Sequence, residues 1–176
     1  MSDKSQTIAF WLLPESGARA ELERVVRDLA QRFDAPLFQP HVTLQGADVD
    51  EGRAREVLPQ ICAASEPVEL EVDRIAFSEK YTKTLSVQFR PSAAASALSD
   101  AVREALGCTS DYEFDPHLSL IYKEMPESTK AGLARSITLP FTRMVCDAVK
   151  VISTTSPITT SDEVEAWRTI GECSLR

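Results

Sequence analysis

Phe38-Gln39-Pro40-His41-Val42-Thr43-Leu44 returns almost letter for letter as Phe114-Asp115-Pro116-His117-Leu118-Ser119-Leu120, and the two copies hold both histidines of the chain. Each histidine follows a proline and precedes a small hydroxyl by two positions, in a run that alternates polar and apolar. That period of two is the strand signature. It predicts that His41 and Thr43 project from one face of a strand while Val42 and Leu44 project from the other, and likewise for His117 and Ser119 against Leu118 and Leu120. Imidazole is the side chain suited to proton transfer near neutral pH, and a hydroxyl beside it can donate to an anionic oxygen. Two such pairs facing one another make a site for acid-base chemistry on a phosphate. A lone histidine on a strand is more often a hydrogen-bonded structural residue. Two unrelated structural histidines, however, have no reason to share the preceding proline, the following hydroxyl and the flanking phenylalanine and leucine.

The duplication extends beyond the motifs. The apolar run Ile8-Ala9-Phe10-Trp11-Leu12-Leu13 precedes the first, Leu85-Ser86-Val87-Gln88-Phe89 the second, and a helical stretch follows each. Phe10 lies 31 positions before His41 and Val87 lies 30 before His117. In the first helical stretch Leu22, Val25, Val26, Leu29 and Phe33 fall on one face of a 3.6-residue repeat. Leu98, Ala101, Val102, Ala105 and Leu106 repeat the design, with Ser92 placed to cap its start. Each half therefore reads strand, helix, histidine strand. One long internal repeat predicts two similar lobes rather than a solenoid, which needs at least three units.

Further elements fill out the lobes. Residues 51–64 read as a helix that Pro59 would kink or restart. Val68 to Ile75 alternates as a strand, and Val145 to Ile152 and Val164 to Leu175 read as two more, joined by a polar loop from Thr154 to Asp162. Strands outnumber helices and the connections are of mixed length. The expected class is α+β, with mainly antiparallel sheets and helices on their outer faces.

At 176 residues and 43% hydrophobic, the chain can bury a core as one bilobal domain over residues 1–176. Its polar start and the absence of any run approaching a membrane span lead us to expect a soluble, cytoplasmic protein. Cys62, Cys108, Cys146 and Cys173 are scattered without a Cys-x-x-Cys spacing, which argues against structural zinc. They read as buried free thiols, with a pair such as Cys62 and Cys173 left open. The formal net charge of −8 and the lack of a Lys/Arg stripe disfavour a long nucleic acid as partner, whereas one phosphate can still be held by local donors.

The paired His-x-Thr and His-x-Ser strands resemble those of the 2H phosphoesterase superfamily, which carries two such motifs on a two-lobed, pseudo-symmetric fold with sheets facing a central groove. Within it the chain looks most like the small cyclic nucleotide phosphodiesterases. Phe10-Trp11-Leu12-Leu13-Pro14, the Tyr122 that closes the second motif, and Trp167 carry that finer likeness. The resemblance implies His41 and His117 as the proton-transfer pair, Thr43 and Ser119 as donors to the phosphoryl oxygens, and Trp11 and Tyr122 as groove-lining side chains for a small nucleotide. Strict parity would put Tyr122 on the wrong face unless the strand ends by Ile121, and Trp11 fits core packing as well as base stacking. Tyr81 and Phe77 are further candidates.

Opening a cyclic phosphodiester in line needs a base on one side of phosphorus and an acid on the other, which two imidazoles supply. No metal or other cofactor is called for. Two histidines make a poor zinc site and no His-Glu-x-x-His is present. A serine nucleophile is disfavoured because no Gly-x-Ser-x-Gly turn exists. The expected substrates are ADP-ribose 1″,2″-cyclic phosphate and nucleoside 2′,3′-cyclic phosphates, handled by a monomer. An RNA-end-processing member of the same superfamily and a non-catalytic nucleotide-binding module are the alternatives.

Overall fold

The apolar run near the start becomes β1 (Ser5–Pro14), buried from Ile8 onward in the computed structural model, which describes residues 5–108 and 113–176. It pairs on both edges, with β2 (Val42–Ala47) and with β6 (Arg143–Ser156), and so reads as a continuous apolar stretch rather than an alternating one. The remaining strands are β3 (Val68–Phe77), β4 (Leu85–Phe89), β5 (His117–Ile121) and β7 (Arg168–Ser174). Every pairing is antiparallel, in the order β1-β2-β5-β4-β3-β6-β7, and β1 also pairs with β6.

The class is α+β, as the repeat and its patterning predict. The two expected sheets are joined into one. Strands β1, β2, β6 and β7 form one half and β3, β4 and β5 the other. Four residue pairs connect β3 to β6, while the single pair Val42–Leu118 connects β2 to β5.

Helices α1 (Ser16–Phe33), α2 (Glu51–Ala63) and α3 (Ala93–Leu106) bury their apolar faces in one core together with Val42, Leu44, Leu118 and Leu120. The apolar parity of both histidine strands thus faces the helices, which leaves the polar parity for the opposite side. Helix α3 starts as its sequence predicts, with the Ser92 hydroxyl accepting from the Ala95 amide at 3.2 Å. It stops at Gly107, whose φ of 68° favours a residue without Cβ. Helix α2 runs through Pro59 without interruption.

Two helices escape the sequence pattern. Helix α4 (Glu127–Ser136) buries only Lys130 and Leu133 and so has no apolar stripe to read. The short α5 (Ser161–Glu165), closed by a Thr160/Glu163 capping box, takes residues assigned above to the loop and to the final strand. Strand β6 correspondingly runs on to Ser156, and β7 begins only at Arg168. Cys62 and Cys173 are joined in a disulfide between α2 and β7, while Cys108 and Cys146 are free thiols. The reading of four free thiols is thereby corrected, and such a bridge is commoner in oxidising compartments than in the cytosol. Among the described residues no helix is long and apolar enough to cross a membrane.

Candidate active site

The one contact between β2 and β5 places the repeated motifs side by side. Val42 pairs with Leu118 in antiparallel register, and extending that register by one residue sets His41 opposite Ser119 and Thr43 opposite His117. Val42 and Leu118 point into the core, so the four polar side chains share the other face, where all four line a groove of about 470 Å³. The sequence predicted which face each residue takes; the strand pairing makes a square of them.

Both imidazoles are held in the same way. His41 Nδ1 lies 2.7 Å from the carbonyl oxygen of Gln39, and His117 Nδ1 lies 2.8 Å from that of Asp115. A carbonyl oxygen only accepts, so each Nδ1 carries a proton and each Nε2 is left for chemistry. The shared prolines explain the arrangement. Pro40 and Pro116 have no N–H and hold the preceding residue extended, which turns the carbonyl two residues upstream back onto the ring.

Their surroundings differ. His41 is 6% exposed, and burial pushes its pKa down to about 4, with the charges of His117 and Lys150 acting in the same direction against the Gln39 hydrogen bond. The His117 side chain is 22% exposed. Burial also lowers its pKa, opposed by the Asp115 carbonyl and carboxylate and assisted by Lys83 and Lys80. At neutral pH, therefore, both rings favour the neutral form.

Aromatic side chains close one end of the groove. Trp11 stacks on His41, with ring centroids 3.7 Å apart and planes inclined by 10°. Trp167 meets Trp11, His41 and Tyr122 edge-on at centroid distances of 5.0 to 6.0 Å. Strand β5 ends at Ile121, which releases Tyr122 from strand parity and turns it into the groove, where it stacks on Phe38 at 4.1 Å. Trp11 lines the groove but spends a ring face on His41, so it serves as a platform for the imidazole. Tyr81 lines the groove too. Phe77, 38% exposed at the end of β3, does not.

The two hydroxyls are not equivalent. Thr43 donates no hydrogen bond among the described residues, whereas the Ser119 hydroxyl donates to the Thr82 carbonyl at 2.7 Å. Beside it, the Tyr122 phenol is pushed well above its ordinary pKa by burial. Thr82 sits in a 3-10 turn at Tyr81–Lys83, on the loop that also brings Lys80 to the groove. That loop is anchored from α4 by Lys130. This lysine is 2% exposed and donates to the Ser78 carbonyl at 3.0 Å and to Glu79 Oε1 at 2.5 Å.

Sequence reasoning passed over Phe38, Thr82, Lys80 and Lys150. Phe38 was visible as part of the repeat, but the others reach the site only through strand register and loop folding. Lys150, for instance, pairs with Trp11 across β1 and β6. Among the described residues no three His, Cys, Asp or Glu side chains gather where they could hold a metal ion.

Known proteins are similar to this chain in sequence and in fold. Residues 13–157 match the 2′-5′ RNA ligase superfamily. The chain is similar to a cyclic phosphodiesterase of Arabidopsis thaliana, 21% identical over 175 residues that cover 98% of this chain and 97% of that protein. Its fold is similar to E. coli LigT in complex with 3′-AMP, with a TM-score of 0.60, 12% identity, and 97% and 98% of the two chains covered. It is also similar to TT0787 of Thermus thermophilus, with a TM-score of 0.62, 14% identity, and 97% and 98% covered.

Proposed function

The chain belongs to the 2′-5′ RNA ligase superfamily, the 2H phosphoesterases, and from that premise we propose that it is a metal-independent hydrolase of small cyclic phosphodiesters. The observation that carries the reading is the square of His41, Thr43, His117 and Ser119 around the Val42–Leu118 pair. In it, each imidazole sits opposite a hydroxyl with its Nδ1 fixed and its Nε2 free.

A cyclic phosphate seated over the square has an imidazole on either side of phosphorus. One Nε2 takes a proton from water as the water oxygen bonds to phosphorus. The P–O bond opposite then breaks, and the departing oxygen receives a proton from the other Nε2–H. The non-bridging oxygens keep their negative charge throughout, and Thr43 and Ser119 are placed to donate to them. Ser119 can do so once its hydroxyl turns from the Thr82 carbonyl.

The intended substrates are nucleoside 2′,3′-cyclic phosphates, opened to 2′-phosphates as the 3′ oxygen leaves, and ADP-ribose 1″,2″-cyclic phosphate, opened to the 1″-phosphate. A groove of about 470 Å³ with aromatic walls suits one nucleotide. A net charge of −8 opposes binding of a polymer. Both histidines come from one chain, so a monomer suffices.

The test is turnover of 2′,3′-cyclic AMP and ADP-ribose 1″,2″-cyclic phosphate side by side in EDTA, at fixed salt, with a cyclic-phosphate-ended oligonucleotide as the third substrate. Turnover of the small substrates with a higher kcat/KM than the oligonucleotide is expected. Preference for the oligonucleotide would transfer the site to RNA-end processing. Binding without turnover would make it a nucleotide-binding module.

A further inference from the structure

We propose that Gln39 and Asp115, each two positions before a histidine, make the two imidazoles inequivalent, so that His117 brings the proton into the reaction and His41 arrives without one. The roles rest on the phosphodiesterase reading above, whereas the inequivalence stands on geometry alone.

The backbone treats the two histidines alike, since the carbonyl of Gln39 holds one Nδ1 and that of Asp115 holds the other. The side chains at those same two positions do not. Each has a lysine docked on it. Lys150 Nζ donates to Gln39 Oε1 at 2.8 Å, and Lys83 Nζ donates to Asp115 Oδ2 at 2.5 Å.

Behind His117 the lysine meets a full negative charge. That carboxylate also accepts from Gln88 Nε2 at 2.7 Å and lies 3.8 Å from His117 Nδ1. Burial would raise the Asp115 pKa, but the Lys83 and Gln88 hydrogen bonds prevail and hold it below its ordinary value, so it is ionised wherever imidazole titrates. Behind His41 the lysine meets a neutral amide. Lys150 also pairs with Glu172, whose carboxylate is 3.4 Å away and 41% exposed.

The remaining neighbours reinforce the contrast. His41 faces Lys150 and the ring of His117, and Trp11 covers it. His117 faces Lys83 and Lys80, but with Asp115 beside it and a more open side chain. An added proton is therefore costlier on His41. In the reaction His41 Nε2 accepts the proton of water and His117 Nε2–H supplies the one that the leaving oxygen takes. Gln39 and Asp115 touch no reacting atom; they are positioning residues that set the direction of proton flow.

The chain has only two histidines, so proton NMR titration yields two imidazole curves, assigned with His41→Gln and His117→Gln. In the parent, His117 is expected to titrate at the higher pH. Asp115→Asn should lower the His117 curve by about one unit, the size of a lost neighbouring charge, leave the His41 curve within a few tenths of a unit, and move the alkaline limb of kcat/KM down with it. Asp115→Glu should restore both. Independently, Gln39→Glu should raise the His41 curve and the acid limb. The proposal is overturned if His41 titrates above His117, or if Asp115→Asn and Gln39→Glu each leave their histidine in place. Should the curves behave as stated while no cyclic phosphodiester is opened, the inequivalence is upheld and the phosphodiesterase reading is the one that fails.

Discussion

The indole of Trp11 lies flat against the imidazole of His41, 3.7 Å between centroids, and shields it from water. Burial is the largest cause holding His41 near a pKa of about 4, and this ring covers one of its faces. Trp11→Ala is expected to raise His41 toward the ordinary histidine value of about 6.5 and to carry the acid limb of kcat/KM upward. Trp11→Phe, which keeps a ring in place, should shift it less. An acid limb unmoved in Trp11→Ala would mean that the stack does not control the proton affinity of His41.

The same burial ties folding to pH. Between about pH 4 and 6.5 the unfolded chain protonates His41 and the folded chain does not, so stability falls as the solution is acidified through that window. The contribution of His41 is on the order of 3 kcal/mol across it. Urea unfolding at pH 7 and pH 4.5 should show the loss, and His41→Gln should remove much of its pH dependence. Identical pH dependence in parent and variant would contradict the prediction.

Thr43 and Ser119 should separate under mutation. Thr43→Ala removes a donor that has no other partner among the described residues, and should reduce kcat/KM by the equivalent of about 2 to 4 kcal/mol, the cost of one lost donor to a charged oxygen. Thr43→Ser should be mild, because the second motif already uses serine. Ser119→Ala also frees the Thr82 carbonyl, so KM should rise along with the fall in kcat as the 78–84 loop loosens. A severe Thr43→Ser defect would point to packing of the methyl group instead.

The Cys62–Cys173 bridge closes 111 residues of chain, which the loop-entropy account converts to about 4 to 5 kcal/mol. It lies between α2 and β7, and neither cysteine lines the groove. Reduction, or Cys62→Ser, should lower Tm by roughly 10 °C or more and leave kcat of the folded fraction near that of the parent. A matching fall in kcat at a temperature well below Tm would show that the bridge supports the site.

Where the sequence is periodic, the fold is legible from it. The parity of Pro40-His41-Val42-Thr43-Leu44 and its repeat decides which side chains face the groove, and Leu22, Val26 and Leu29 decide which face α1 buries. Helix α4 is silent because its buried residues are a lysine and a leucine, and α5 is too short to show a period. Of the candidate site, the four residues of the square could be named in advance because a repeat advertises them, and Tyr122 only through the family resemblance. The inequality of the halves could not. It depends on which lysine reaches Gln39 or Asp115, and on Ser119 finding Thr82, contacts made by chain segments far apart in sequence.

The central claim, that two histidines share the proton transfers on a cyclic phosphodiester, is tested most directly by the turnover number of the parent, His41→Ala, His117→Ala and the double variant on 2′,3′-cyclic AMP in EDTA. Each single variant is expected to fall by roughly 10² or more, the worth of a positioned acid or base. The product should be the 2′-phosphate, and binding of a non-hydrolysed nucleotide should change far less. The double variant should lose less than the product of the two single losses, because the two rings act as a unit on one reaction. Near-parental turnover in either single variant would contradict the account.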